Sequence, residues 1–324
     1  MSGAASDAAN HAWVIGRGGL LGSAIERALR RTDVSIFIPE QRFSWTVPAV
    51  LQRELEVACE HFAASLAPRD RWTLHWAAGV GSMGSTAQDL VTETAALEGL
   101  LGAIERSSLC AEHGRVALAS SAGAIYAGST DAVIDEHTVE GPTTAYAHAK
   151  LAQERCVLDH AARFGTGTLI ARISTLYGAG QASGKRQGLL THISRCLIRN
   201  TPVQIFVPLD TIRDYIAADD AAAILLDALD GVGPRRTAMK IVASERPVTI
   251  SEILSIFKRL ARRRPRIVTS GSSSSSLYAR RMQFRSCVPP SRSHPPLELL
   301  IGISRLLAAE RLRYVAAGHR PPLS

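Results

Sequence analysis

Two groups of residues in this sequence have the types and spacing for chemistry. Tyr146-Ala147-His148-Ala149-Lys150 sets a phenol and an ammonium four residues apart, on one face if the segment is helical. The ammonium stabilises the phenolate, so the pair can take a proton from an alcohol or return one to a ketone. Gly16, Gly19 and Gly22, in the run GRGGLLG, are the second group. One glycine permits a tight turn, one lets backbone approach a pyrophosphate, and one lets a helix pack on a strand. The free N–H groups and positive dipole end of that helix favour phosphate. The two groups together predict hydride-linked chemistry on a nicotinamide dinucleotide, with Gly16, Arg17, Gly19, Leu20, Leu21 and Gly22 against the coenzyme.

Coenzyme choice turns on the residues just past the second strand. Glu40 lies 18 residues after Gly22, near where a ribose-binding acid is expected. Its carboxylate would accept from a ribose 2′-hydroxyl and repel a 2′-phosphate, favouring NAD. Alternatively, Arg17 and Arg42 would clamp the 2′-phosphate of NADP, leaving Glu40 a loop carboxylate.

These residues need elements to hold them, and apolar periodicity supplies them. Strands are predicted over 11–15, 34–38, 72–76, 115–121 and 168–173, alternating with helices over 20–31, 48–67, 88–106 and 144–164. That rhythm implies an α/β fold, a doubly wound parallel sheet with helices on both faces. After residue 175 it loosens. Helices are expected over 189–200, 217–229, 250–262 and 295–313, strands over 203–207 and 239–242, and a loop over 178–188. Residues 1–10 read as a loose tail, and the serine tract 272–276 as a flexible surface loop.

The ordered set of motifs resembles the extended short-chain dehydrogenase/reductases, the NAD-dependent sugar-nucleotide epimerase/dehydratase family. The likeness covers about residues 12–260 and rests on the glycine loop, His75-Trp76-Ala77-Ala78, Ser120-Ser121-Ala122-Gly123-Ala124-Ile125-Tyr126, Asp135-Glu136, Tyr146 with Lys150, RISTLYG from Arg172 and RDYIAADD from Arg213. It implies a Rossmann NAD(P)-binding domain over 11–174 and a smaller C-terminal α/β substrate-binding region over 175–324, with parts of 203–230 returning to the Rossmann sheet. Its substrate would be a nucleotide-diphospho-sugar. Tyr146 would be the acid or base, and Lys150 would bind nicotinamide ribose. Ala77 and Ala78 would border the coenzyme, and Thr175 and Arg213 the substrate. For Arg213, a salt bridge with Asp214 is the alternative.

Departures from the family pattern narrow the reaction. The usual catalytic hydroxyl position, four before Tyr126, is Ala122. Ser121 or Ser120 is the remaining source, with Ser121 favoured, although neighbouring strand residues face opposite ways. Thr175 replaces an asparagine, and Glu93 or Thr94 stands where a central-helix asparagine is usual. Gly123-Ala124 offers no acid–base pair for eliminating water, which disfavours dehydration. C4 epimerisation or 4-keto reduction remains. The competing class is a dinucleotide-binding regulatory or scaffold protein with weakened catalysis. His75, His148 and His192 read as structural histidines rather than catalytic ones.

Bulk composition is ordinary for a soluble globular protein. The 324 residues are 46% hydrophobic and 20% charged. The net charge of +8 concentrates late, as in Arg262-Arg263-Arg264; without interleaved aromatics or a reader motif it indicates a solvated face rather than nucleic-acid binding. The five cysteines are scattered with no C-x-x-C pair, which disfavours disulfides and a metal site. No signal peptide or membrane span is read, so a reducing cytoplasm is the expected location. The family resemblance adds a possible homodimer.

Overall fold

The computed structural model describes residues 8–79, 87–180, 188–262, 265–269, 281–289 and 295–318. Most of the N-terminal tail, the serine tract and residues 181–187 of the expected loop lie outside them. The first half alternates strand and helix: β1 (Asn10–Ile15), α1 (Leu20–Leu29), β2 (Val34–Phe37), α2 (Pro48–Ala64), β3 (Arg71–Trp76), α3 (Ala87–Arg106), β4 (Gly114–Ser121), α4 (Ala122–Ile125), α5 (Ala145–Phe164) and β5 (Gly167–Ile173). The second half adds β6 (Thr175–Tyr177), α6 (Leu189–Arg199), β7 (Val203–Ile205), β8 (Ile212–Ala217), α7 (Ala218–Asp230), β9 (Thr237–Val242), β10 (Pro247–Thr249), α8 (Ile250–Ala261), β11 (Ile267–Thr269) and α9 (Leu299–Ala316).

The central sheet is parallel, in the order β2-β1-β3-β4-β5-β9. Successive side chains of a strand point to opposite faces, and both faces here are covered, as a parallel sheet requires. Trp13, Ile15, Val116 and Leu118 face α2, α3 and α5. Ala12, Val14, Ala117 and Leu169 face α1 and α7. This is the expected doubly wound Rossmann arrangement. The chain leaves β1 for β2 on one side and crosses to β3 on the other, which makes the β1/β3 boundary the topological switch point.

The C-terminal region builds a separate core from α6, α8, α9, Tyr177 and Tyr215. It carries a three-stranded sheet, β10-β8-β6, and the parallel pair β11-β7. Within 203–230, α7 packs on α1, β5 and β9; the sixth strand of the Rossmann sheet, β9, comes later in the chain than that stretch. The last helix begins later than 295, because Pro295 and Pro296 disfavour helical backbone before them. Instead the Leu297 N–H donates to Asp220 Oδ2 at 2.7 Å.

Asp214 ties the two sheets together. It is fully buried and accepts from Ser174 Oγ (2.6 Å), the Ser244 N–H (2.9 Å) and hydroxyl (2.9 Å), and the Arg246 N–H (3.1 Å). Ser174 follows β5 and Ser244 follows β9, so one carboxylate fixes both strand ends against β8.

His75 in β3 is 1% exposed. Its Nε2 lies 3.1 Å from Thr73 Oγ1, and its buried Nδ1 has no partner among the described residues. Burial pushes its pKa down to about 4. In the unfolded chain an imidazole titrates near 6.5, so the unfolded state takes up the proton first as pH falls. The stability present above pH 6.5 is therefore lost toward pH 4, by up to ~3 kcal/mol. Urea unfolding across this window should show that loss in the native chain and not in His75→Gln; parallel pH profiles would contradict it.

Candidate active site

The crevice at the switch point is built by backbone that comes unusually close. Gly16 has φ +87°, and a Cβ there would sit 2.6 Å from the Ala77 carbonyl oxygen and the Ala78 backbone. A Cβ on Gly22 would lie 2.2 Å from the Gly16 oxygen. Only glycine lets α1 start this tightly against β1 and β3. Gly19 is the N-cap of α1 and supplies no side-chain cap, so no side chain competes for the first-turn N–H groups. A Cβ at Gly18 would meet nothing within 4 Å. An open, uncapped helix start in a glycine-lined crevice fits a phosphate-bearing dinucleotide.

The residues proposed to choose the coenzyme are less concentrated. Arg17 donates from Nε and Nη2 to Glu26, at 2.9 and 3.0 Å, and Arg30 joins at 2.6 Å. Burial acts to raise the Glu26 pKa, but the hydrogen bonds from Arg17 and Arg30 outweigh it and hold the carboxyl below its ordinary range. Arg17 is thus drawn back along α1. β2 ends at Phe37, so Glu40 lies in an exposed bend beyond the strand rather than at its end.

The phenol and ammonium stand on α5. Thr144 caps that helix, accepting from the Ala147 N–H at 3.2 Å. Tyr146 is half-buried, and its hydroxyl has no hydrogen-bond partner among the described residues. Lys150 is buried, its Nζ 5.7 Å from the Tyr146 ring centroid. Nζ donates to Gln153 Oε1 (2.9 Å), Glu93 Oε1 (3.3 Å) and the Ala119 carbonyl (3.4 Å). An ammonium has three protons, and protein acceptors meet all three. Binding a ribose through Lys150 requires exchanging one of them, the long bond to Ala119 being the weakest.

The two serines separate. Ser120 faces α5, where its hydroxyl donates to Glu154 at 2.5 Å. Arg172, opposite it on β5, donates to Glu154, Glu140 and the Tyr126 hydroxyl. Burial disfavours the Arg172 charge, but hydrogen bonds from its guanidinium to the carboxylates prevail and raise its pKa. Ser120 is therefore committed to a buried charge cluster. Ser121, half-buried at the last position of β4, pairs with Ile173 of the α1-facing core. Its side chain lies on the opposite side of the sheet from Ser120, and its hydroxyl has no partner among the described residues. Ser121 and Tyr146 thus approach the C-terminal edge of the sheet from its two sides.

Thr175 and Arg213 lie in adjacent strands of the smaller sheet, Thr175 beside Tyr215 and Arg213 two residues before it. Both are half-buried. The Asp214 carboxylate is taken by Ser174, Ser244 and Arg246, and Arg213 Nη1 donates to the Ile212 carbonyl at 2.8 Å. His148 and His192 are exposed. Among the described residues, no group of three His, Cys, Asp or Glu could hold a metal ion.

Residues 12–239, which carry this crevice and the Tyr146/Lys150 helix, match the NAD dependent epimerase/dehydratase family. The chain belongs to that family. It is 26% identical over 119 residues to the dTDP-4-dehydro-6-deoxyglucose reductase of Escherichia coli, covering 37% of each chain. The match thus spans well under half the length of that relative. UDP-glucose 4-epimerase from Thermotoga maritima, solved with UDP-glucose, superposes with a TM-score of 0.74 at 16% identity, covering 95% of this chain and 99% of that one. RMD from Pseudomonas aeruginosa, solved with NADPH, gives 0.74 at 17% identity, covering 94% and 98%. At these identities the structural likeness establishes the fold.

Sequence reasoning missed Gln153, although its position three residues after Lys150 on the same helix was the available signal. It also gave no role to Arg172, a charged residue within the apolar strand Leu169-Ile170-Ala171-Arg172-Ile173; such a placement implies buried partners.

The glycine geometry separates two substitutions. Gly22→Ala should lose about 2 kcal/mol or more in urea unfolding, because its Cβ meets backbone. Gly18→Ala should stay within about 0.5 kcal/mol of the native chain. Equal losses would show that the crevice is not packed as described.

Proposed function

We propose that this chain is an NAD(P)-dependent sugar-nucleotide C4 epimerase or 4-ketoreductase, acting through Tyr146. The observation that carries the reading is the half-buried Tyr146 hydroxyl, without a hydrogen-bond partner among the described residues, one turn before buried Lys150 on the same helix. A bound nicotinamide dinucleotide supplies the site that accepts or returns hydride. Gly16, Arg17, Gly19, Leu20, Leu21 and Gly22 hold its phosphates, with Ala77 and Ala78 lining the crevice. The tie of Arg17 to Glu26 and the carboxylate of Glu40 support NAD over NADP.

In this reading Tyr146 takes the proton of the C4 hydroxyl when the sugar is oxidised and returns it on reduction. Lys150 holds the phenolate and the nicotinamide ribose in place. Ser121 donates a hydrogen bond to the C4 oxygen, the role left vacant by Ala122. Thr175 and Arg213 contact the nucleotide-diphospho-sugar, whose remote phosphates position the reacting carbon. The absence of acidic side chains at Gly123-Ala124 supports epimerisation or reduction over dehydration.

A second reading, a dinucleotide-binding scaffold without turnover, draws on Ala122 and on the saturated hydrogen bonding of Lys150. The two part on one experiment. The purified chain should retain a dinucleotide and either isomerise a sugar nucleotide with no added coenzyme or oxidise NAD(P)H with a 4-keto sugar. Tyr146→Phe should lower that rate by roughly 10²–10⁴-fold. No turnover with either substrate class, with Tyr146→Phe indistinguishable from the native chain, would leave the scaffold reading.

A further inference from the structure

We infer that Glu93 sets the oxidation state of the coenzyme, its buried carboxylate favouring the oxidised, cationic nicotinamide over the reduced, neutral one. The inference rests on the NAD(P) reading of the crevice and adds which coenzyme form the site prefers.

Glu93 stands on α3 and is 4% exposed. Its Oε1 lies 3.3 Å from Lys150 Nζ and accepts from Gln153 Nε2 at 3.0 Å. On its other side it borders the backbone that follows β3: a side chain on Gly79 would begin 3.0 Å from Oε1. The carboxylate is therefore wedged between the lysine beside Tyr146 and the Ala77-Ala78-Gly79 edge of the crevice. The family pattern has a neutral asparagine in this stretch of the helix.

Charge decides the consequence. A buried Lys150 alone would place one positive charge at the nicotinamide end and disfavour a ring that carries another. Glu93 cancels it, so the pair presents no net charge. Buried charges are weakly screened by salt and interact through a lower effective dielectric than surface groups, so the cancellation is felt by a cation nearby. The reduced ring is neutral and gains nothing from it. A site that prefers the oxidised ring starts with an alcohol: the C4 hydroxyl proton goes to Tyr146 and the C4 hydride to the coenzyme. Returning the hydride to the opposite face of C4, and the proton from Tyr146 to the C4 oxygen, would consume no outside reductant. Glu93 thus tilts the proposed function toward epimerisation over keto reduction.

Titration calorimetry of coenzyme-free protein with NAD+ and with NADH tests this without reference to turnover. The native chain should bind NAD+ more tightly than NADH. Glu93→Gln, which keeps an acceptor for Lys150 and removes the charge, should shift the ratio at least tenfold toward NADH, and Glu93→Asp should restore it. Should Glu93→Gln not fold, the native ratio alone still decides. Tighter NADH binding by the native chain, or an unchanged ratio in Glu93→Gln, overturns the role of Glu93 and leaves the crevice a coenzyme site. Binding of neither form by the native chain overturns the coenzyme reading itself, and this inference with it.

Discussion

The close meeting of backbone at Gly16 is the constraint on which the rest depends. A Cβ on Gly16, in the loop after β1, would lie 2.6 Å from the Ala77-Ala78 backbone that follows β3 and would force the two strand ends apart. That approach opens the crevice at the point where the strand order reverses. It directs the start of α1 into the crevice and brings the Ala77-Ala78-Gly79 edge beside it. Glu93 lies against that edge and reaches Lys150, while β1 and β3 stay in register up to Ile15 and Trp76.

Buried carboxylates then hold the neighbouring elements to this frame. Glu93 joins α3 to Lys150 and Gln153 of α5, Glu154 joins α5 to Ser120 and Arg172, and Asp214 joins β8 to the ends of β5 and β9. Burying a charge is expensive unless it is paired or hydrogen-bonded: Glu93 and Glu154 are paired with Lys150 and Arg172, and Asp214 accepts four hydrogen bonds. They gather around the C-terminal ends of the strands, where chemistry needs fixed geometry and apolar packing gives way to an open edge. The commitment of Ser120 to Glu154 has the same origin: the hydroxyl facing α5 serves the frame, which leaves Ser121 as the donor proposed for substrate.

The Rossmann half is readable from sequence because its signals are local. Runs such as Trp72-Thr73-Leu74-His75-Trp76 and the glycine spacing need no knowledge of partners. The smaller sheet is not readable in the same way. β6 and β10 are three residues each, and β8 contains Arg213 and Asp214, which break an apolar pattern. Asp214 is tolerated in the core only because Ser174 and Ser244, distant in sequence, reach it. In the site, the Tyr146 and Lys150 spacing is visible in the chain itself. The partners that decide what Lys150 does, Glu93 and Ala119, are supplied by α3 and β4 and emerge only on folding.

Absorbance near 340 nm, followed as NAD-loaded protein is mixed with a sugar nucleotide, addresses the role of Tyr146 most directly. A catalytic Tyr146 requires a transient reduced-nicotinamide band in the native chain, suppressed in Tyr146→Phe while NAD remains bound. An equal band in the two proteins would contradict that role.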